Sequence, residues 1–366
     1  MHDSFDLSTN KPIDQLRCML DACNYKSLYR KITGADDDPW LHFRSCQIPG
    51  WLNPRENIIW NLFYNGYSIP EDNFAKAFST EAMETFVRAR LLSRPHGFLQ
   101  SQVVILVYFE NYIVLDHPQR YASGRWGPGA VYLDATSLDA ARQLIPREPI
   151  DTFLEIGPGS GLLLIEASRY SRLAIGMDID PFAASISRLN VILNRRDLNT
   201  FICVGDIVSA LKPGSTFQEI VFHPPYRLVP TCLKYPNPTA RVGRGNDGLD
   251  ILRRFLTEAI NHLQPNGKLL FSCAMPASDQ GVPFFSELKG YALRFRSQIK
   301  IRVEGTTSVA AQALVTAEKC HFLNPTASLE ELASLINSHY NALGFSRLVL
   351  CWVTITSGQH GEVSIE

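Results

Sequence analysis

Leu154–Gly161 reads LEIGPGSG, and the reading of this stretch decides the fold. Strand formers run from Thr152 to Ile156 and stop at glycines 157, 159 and 161. Glycine accepts backbone conformations closed to other residues, so three in alternation allow a tight turn and close approach of a ligand to the main chain. The next stretch, SGLLLIEASRY, is a helix whose first N–H groups lack intrahelical partners and point back at that turn. Glycine turns also follow strands where nothing binds, so the flanking sequence has to decide.

Downstream, the pattern alternates strand and helix. LAIGMDID is a strand, and PFAASISRLNVILN a helix with Pro181 in its first turn. TFICVGD and EIVFHPPY are strands, DGLDILRRFLTEAINHL a helix ended by a QPNG turn, and KLLFSCAMP a strand. QIKIRVEG and RLVLCWVTITS are two more, separated by the helix SLEELASLINSHYNAL. Such alternation predicts a parallel sheet with helices on both faces. Upstream the chain reads differently. IDQLRCMLDACNY and AKAFSTEAMETFVRARLLS have helical spacing, SCQIPGWLNPREN is a loop, and two β-rich runs around Glu110-Asn111 read as a hairpin. Pro146 and Pro149 mark the change, which divides the chain into residues 1–147, a mostly helical substrate or lid domain with a hairpin, and 148–366, the nucleotide-binding half.

The composition excludes several classes. The chain has 366 residues, 45% hydrophobic and 19% charged, with a net charge of −1, which speaks against a nucleic-acid partner. Eight scattered cysteines include no C-x-x-C pair, so no structural metal site is expected and a reducing, cytoplasmic setting is. The first ten residues lack a signal-peptide pattern, and no apolar run is long enough for a membrane span.

The glycine loop also selects a ligand. Glu155, one strand position before the loop, would repel a pyrophosphate but suits an ammonium group. Asp178, 23 positions on, ends the second strand where a carboxylate can accept both ribose hydroxyls, although capping of the next helix is the plainer job and Asp180 suits that better. Asp206, after the third strand, is placed to reach an adenine amino group or to cap a helix. An ammonium, a ribose and an adenine together describe S-adenosylmethionine (SAM).

With LEIGPGSG, GMDIDPFAASISRLNVILN, VGDI and VFHPPY in order over residues 151 to about 276, the chain resembles class I SAM-dependent methyltransferases. The resemblance implies a Rossmann-like α/β fold, a seven-stranded sheet in the order 3-2-1-4-5-7-6 with the last strand antiparallel. It implies a cofactor site of Glu155, Gly157, Gly159, Gly161, Asp178, Ile179, Asp206, Ile207 and His223. Within the class, HPPY is similar to the Asn/Asp-Pro-Pro-Tyr corner of N-methyltransferases, of which the release-factor glutamine and ribosomal RNA branches share this layout. There the Asn side chain and the next proline carbonyl accept hydrogen bonds from a planar NH₂, and Tyr packs on it. His223, Pro224 and Tyr226 are therefore the expected catalytic residues.

His223 departs from that pattern. An imidazole accepts one hydrogen bond or takes a proton near neutral pH, so an amine acceptor is expected in place of an amide or base edge. On that ground and the near-neutral charge, the expected partner is a small molecule, possessing an amine related to an amino acid. Arg125, Tyr132 and Arg227 are candidate substrate contacts, with Trp126 more suited to packing. A second reading has SAM's own α-amine close an azetidine ring and release methylthioadenosine. A macromolecular acceptor and a non-enzymatic SAM binder are the remaining classes.

Overall fold

The computed structural model describes residues 5–34, 48–116, 131, 133, 135–144, 148–235, 242–358 and 361–366. The first part carries helices α1 (Lys11–Ala22), α2 (Tyr25–Thr33) and α3 (Pro54–Trp60). Asn53 starts α3 with a reciprocal cap: its side chain accepts from the Glu56 N–H while Glu56 accepts from the Asn53 N–H. A π-helical turn, Asn61–Asn65, follows and stacks Trp60 on Tyr64 with ring centroids 4.2 Å apart. The single helix expected over 75–93 is two, α4 (Glu71–Ala77) and α5 (Thr80–Arg88). Ser79 causes the break, since its hydroxyl accepts from the Ala82 N–H and starts a new helix. Short strands β1 (Ile69–Pro70), β2 (Leu92–Ser93) and β3 (Phe98–Ser101) form a small antiparallel sheet.

The hairpin consists of β4 (Val103–Tyr108) and β5 (Asn111–Asp116), every residue of which is buried. Its turn is Phe109-Glu110, both at positive φ as a two-residue hairpin turn demands, and Asn111 already pairs with Tyr108. After α6 (Ala135–Gln143) the alternating half begins: β6 (Ile150–Ile156), α7 (Leu162–Ala167), β7 (Ser171–Asp178), α8 (Pro181–Leu193), β8 (Thr200–Val204) and β9 (Phe217–Phe222). It continues with α9 (Asp250–Ala259), β10 (Leu263–Ala277), α10 (Pro283–Phe295), β11 (Ser297–Ser308), α11 (Val309–Cys320), α12 (Leu329–Ala342), β12 (Arg347–Ser357) and β13 (Glu362–Ile365).

The sheet runs β8-β7-β6-β9-β10-β12-β11, which is the order 3-2-1-4-5-7-6, and β13 adds an eighth strand parallel to β11. β12 is antiparallel to both its neighbours. The QPNG segment is absorbed into β10 as a register shift between Leu263 and Lys268, where Asn266 takes φ +61°. One apolar core joins the hairpin and α1–α5 to α7 and α8, and a second lies on the other face beneath α9–α12. Seven cysteines among the described residues are free thiols. No described helix is long and apolar enough to cross a membrane.

Candidate active site

Chain order reverses at β6: β7 lies on one side and β9 on the other, so the loops leaving β6 and β9 diverge and open a crevice at their C-terminal ends. Ile156 pairs with Phe222, which brings Gly157 and His223 to the same level at that edge. An open cleft lies there, lined by Glu155, Gly157–Ser160, His223–Arg227, and by Leu133, Ser137, Ala140 and Leu163.

The glycine loop is held almost wholly through its backbone. The Gly157 N–H donates to the Met177 carbonyl, and the Gly159 N–H to Asp178 Oδ2 at 3.0 Å. From the other side Ser187 Oγ donates to the Gly159 carbonyl and Asn190 Nδ2 to the Ser160 carbonyl, both at 2.8 Å. Gly161 has φ +75°, and a Cβ there would stand 3.2 Å from Ser187 Cα. Any side chain would therefore push α8 away as well as strain the turn.

Glu155 is 4% exposed, and its Oε2 has no hydrogen-bond partner among the described residues. Burial, with the nearby Asp178 carboxylate adding to it, pushes its pKa up to about 8. A buried carboxylate oxygen without a donor is costly, and a ligand ammonium is the kind of group that satisfies it. Asp178 is also buried, and burial raises its pKa. Its oxygens accept from the Gly159 and Asp180 N–H groups, which leaves further lone pairs for a ribose. Capping of α8 falls to Asp180, whose carboxylate accepts from the Phe182 N–H.

The third acid stands apart. Asp206 is half-exposed and ion-paired with Arg254 of α9 at 3.2 Å, outside the cleft lining. Beside it Ile207 is buried at φ +53°, a left-handed backbone that a β-branched residue rarely takes. Ile179, next to Asp178, is exposed.

On the other side of the cleft β9 ends at Phe222 and the chain turns through His223-Pro224-Pro225-Tyr226, where neither proline has an N–H to continue a ladder. The His223 and Tyr226 rings meet edge to face with centroids 6.4 Å apart. Arg227, only 8% exposed, holds its guanidinium 5.6 Å from the Tyr226 ring centroid. Remote segments fix this corner. The Leu228 N–H donates to the Tyr340 hydroxyl of α12, and Asn324, between α11 and α12, pairs with the Lys234 backbone. A Cβ on Gly248, at φ +78°, would lie 2.6 Å from the Tyr226 carbonyl oxygen.

The structure thus gathers Glu155, Gly157, Gly159, His223, Pro224, Tyr226 and Arg227 around one cleft, with Gly161 and Asp178 behind the loop. Asp206, Ile179 and Ile207 do not line it. Arg125, Trp126, Tyr132 and residues 236–241 lie outside the described residues. Sequence reading missed the contribution of α6, although Ser137 and Ala140 sit three apart and so share a helix face. Among the described residues, no group of three His, Cys, Asp or Glu side chains stands where it would hold a metal ion.

No protein-family model matches the chain. It is 31% identical over 150 residues to a release factor glutamine methyltransferase of Koribacter versatilis, covering 39% of this chain and 53% of that one. A ribosomal protein uL3 glutamine methyltransferase of Xanthomonas campestris is 26% identical, covering 48% and 62%. A tRNA1(Val) (adenine(37)-N6)-methyltransferase of Porphyromonas gingivalis is 29% identical, covering 42% and 60%. The chain spans about half the length of the curated relatives it matches first, 53% and 51%. Among solved structures it is similar to a tRNA m1G37 methyltransferase of M. jannaschii, with a TM-score of 0.41 and 11% identity, over 76% of this chain and 65% of that one.

These relatives correct one expectation. Net charge and the His223 departure point to a small-molecule partner and away from nucleic acid, whereas the relatives named above act on release factors, a ribosomal protein and tRNA, all macromolecules. Net charge averages over the whole surface, and so says little about a partner held at one edge of the sheet.

Proposed function

We propose that the protein is a SAM-dependent N-methyltransferase whose acceptor is a nitrogen on a macromolecule, with a protein glutamine side chain as first candidate. The observation that carries this reading is that the glycine loop and the His-Pro-Pro-Tyr corner line the same cleft at the reversal point of the sheet. The orphaned Glu155 oxygen fits an ammonium, the loop backbone fits a close-lying chain, and Asp178 has acceptor capacity for a ribose. Glu155, Gly157 and Gly159 would hold the methionine part, and Asp178 the ribose, with Ile179 and Ile207 flanking the adenine. Asp206 would reach the adenine only by leaving Arg254. Bound there, SAM supplies a methyl group on a positively charged sulfur.

The chain's own residues then position the nitrogen. The Pro224 carbonyl and one ring nitrogen of His223 accept the two N–H bonds of a carboxamide, which fixes its plane against the Tyr226 face. Alignment of this kind is the main catalytic contribution where the electrophile is already reactive. His223 is also able to take the proton that the nitrogen sheds after methylation. The buried Arg227 beside Tyr226 closes the far side of the cleft. The free thiols and the near-neutral charge fit a cytoplasmic enzyme.

The test is incubation of purified protein with methyl-labelled SAM and, separately, recombinant release factor, ribosomal protein and total tRNA. Label on a glutamine with release of S-adenosylhomocysteine is the expected result. Label on tRNA alone would replace the protein acceptor with a base nitrogen. Methylthioadenosine from SAM alone would return the ring-closing reading, which the relatives do not support.

A further inference from the structure

The edge of the hairpin poses a problem that α8 solves. Among the described residues β5 pairs as a strand with β4 alone, so the outward N–H and C=O groups of Tyr112 and Val114 need other partners in a buried region. Two asparagines supply them, Asn190 within α8 and Asn194 at its C-terminal cap. Asn190 Oδ1 accepts from the Val114 N–H at 2.7 Å, and its Nδ2 donates to the Val114 carbonyl at 2.9 Å. Asn194 does the same for Tyr112, at 2.9 and 2.7 Å. The spacing fits: four residues of helix rise about 6 Å and two residues of strand about 6.7 Å, so carboxamides at i and i+4 match alternate strand residues. The Asp116 N–H completes the edge by donating to the Val131 carbonyl.

The two asparagines differ in one bond. Asn190 is fully buried and also donates to the Ser160 carbonyl inside the glycine loop, whereas Asn194 gives its spare proton to the Asn190 carbonyl of its own helix. A single side chain therefore touches both the N-terminal hairpin and the loop that bounds the cleft.

We infer that Asn190 is a positioning residue: it locks the hairpin to the glycine loop, makes the N-terminal region a fixed wall of the cofactor site, and sets the loop geometry on which SAM affinity depends. The last clause rests on the SAM-binding reading above; the mechanical link does not. Because α8, the hairpin and the loop meet at this carboxamide, a change confined to it is felt at Ser160, while the parallel change at Asn194 stops at the hairpin.

The full-length chain is compared with N190D and N194D, isosteric changes that remove the N–H donors and keep the volume. Amide hydrogen exchange in protein without ligand is expected to speed up about tenfold over Gly159–Leu163 in N190D only. SAM affinity by calorimetry is expected to weaken about tenfold, equal to about 1.4 kcal/mol, in N190D and less than about twofold in N194D, with turnover at saturating SAM little changed in either. Should an aspartate at 190 prevent folding, N190S and N194S carry the same comparison. Equal effects of the two positions on loop exchange and on affinity would overturn the inference, as would an unchanged loop in N190D. If the unaltered protein binds no SAM, the functional reading fails, and the exchange comparison still decides whether Asn190 governs the loop.

Discussion

The two walls of the cleft are built on different plans. The glycine-loop wall is local: β6, β7 and α8 are consecutive, and the loop is held by backbone bonds to Met177 and Asp178 and by the side chains of Ser187 and Asn190. The corner wall is assembled from afar, with Tyr226 under Gly248 and Leu228 tied to Tyr340, 112 positions on. The difference teaches that, on the proposed reading, the cofactor wall is built from contiguous sequence, whereas the acceptor wall depends on segments brought together from far apart in the chain.

The comparison can be broken by substitutions that act on one wall only. The largest effect is expected from His223→Ala, which should lower turnover about 100-fold, the cost of losing alignment of a reacting group, while SAM affinity by calorimetry stays within about twofold. Equal losses in both would make the residue structural. Next, Gly161→Ala, strained at φ +75° and pressed on Ser187, should weaken SAM binding about tenfold and leave turnover at saturating SAM largely intact.

Glu155 gives a pH signature confined to the loop wall. Because its pKa is raised to about 8, the protein without ligand holds the carboxyl protonated through neutral pH. Pairing with an ammonium needs the ionised form, so SAM affinity should rise from pH 6 to pH 8, and Glu155→Gln should weaken binding and flatten the slope. Stability runs the other way. A carboxyl with a folded pKa raised above its unfolded value gives stability that is complete below the unfolded value and lost as pH rises through about 8. Melting of the wild type in buffers across that window should show the decline, and Glu155→Gln should reduce it. The smallest effect is expected on the corner wall. Tyr340→Phe removes one hydrogen bond to Leu228, costs about 1 kcal/mol of stability, and should raise the acceptor KM without changing SAM affinity.

The sequence exposed the local wall well. Three glycines and the strand before them sit where elementary backbone geometry needs them, and periodicity gives the order of strands and helices from β6 to β10, while the helices at Pro283–Phe295 and Val309–Cys320 and the strand at Glu362–Ile365 escape it. What stayed hidden depended on distance or on a single polar atom. Nothing marks Asn190 and Asn194 as partners of a strand, since each looks like an ordinary helical polar residue until β5 is laid beside it. The turn at Phe109-Glu110 was read one position late because neither residue advertises positive φ. Asp206 had the right chemistry at the right strand end, yet Arg254, 48 positions on, holds it in an ion pair. The partner is hidden for a similar reason: a whole-chain charge averages over every surface and does not describe the one that meets a partner.

The doubly buried hairpin has a consequence for inheritance. Its edge is completed by amides that belong to α8, and α8 in turn shapes the glycine loop. Without this ribbon Asn190 and Asn194 would keep their bonds to the Ser160 and Asn190 carbonyls and lose the strand partners of their other polar atoms. A replacement for the N-terminal part would have to bring a strand of matching spacing to satisfy those atoms.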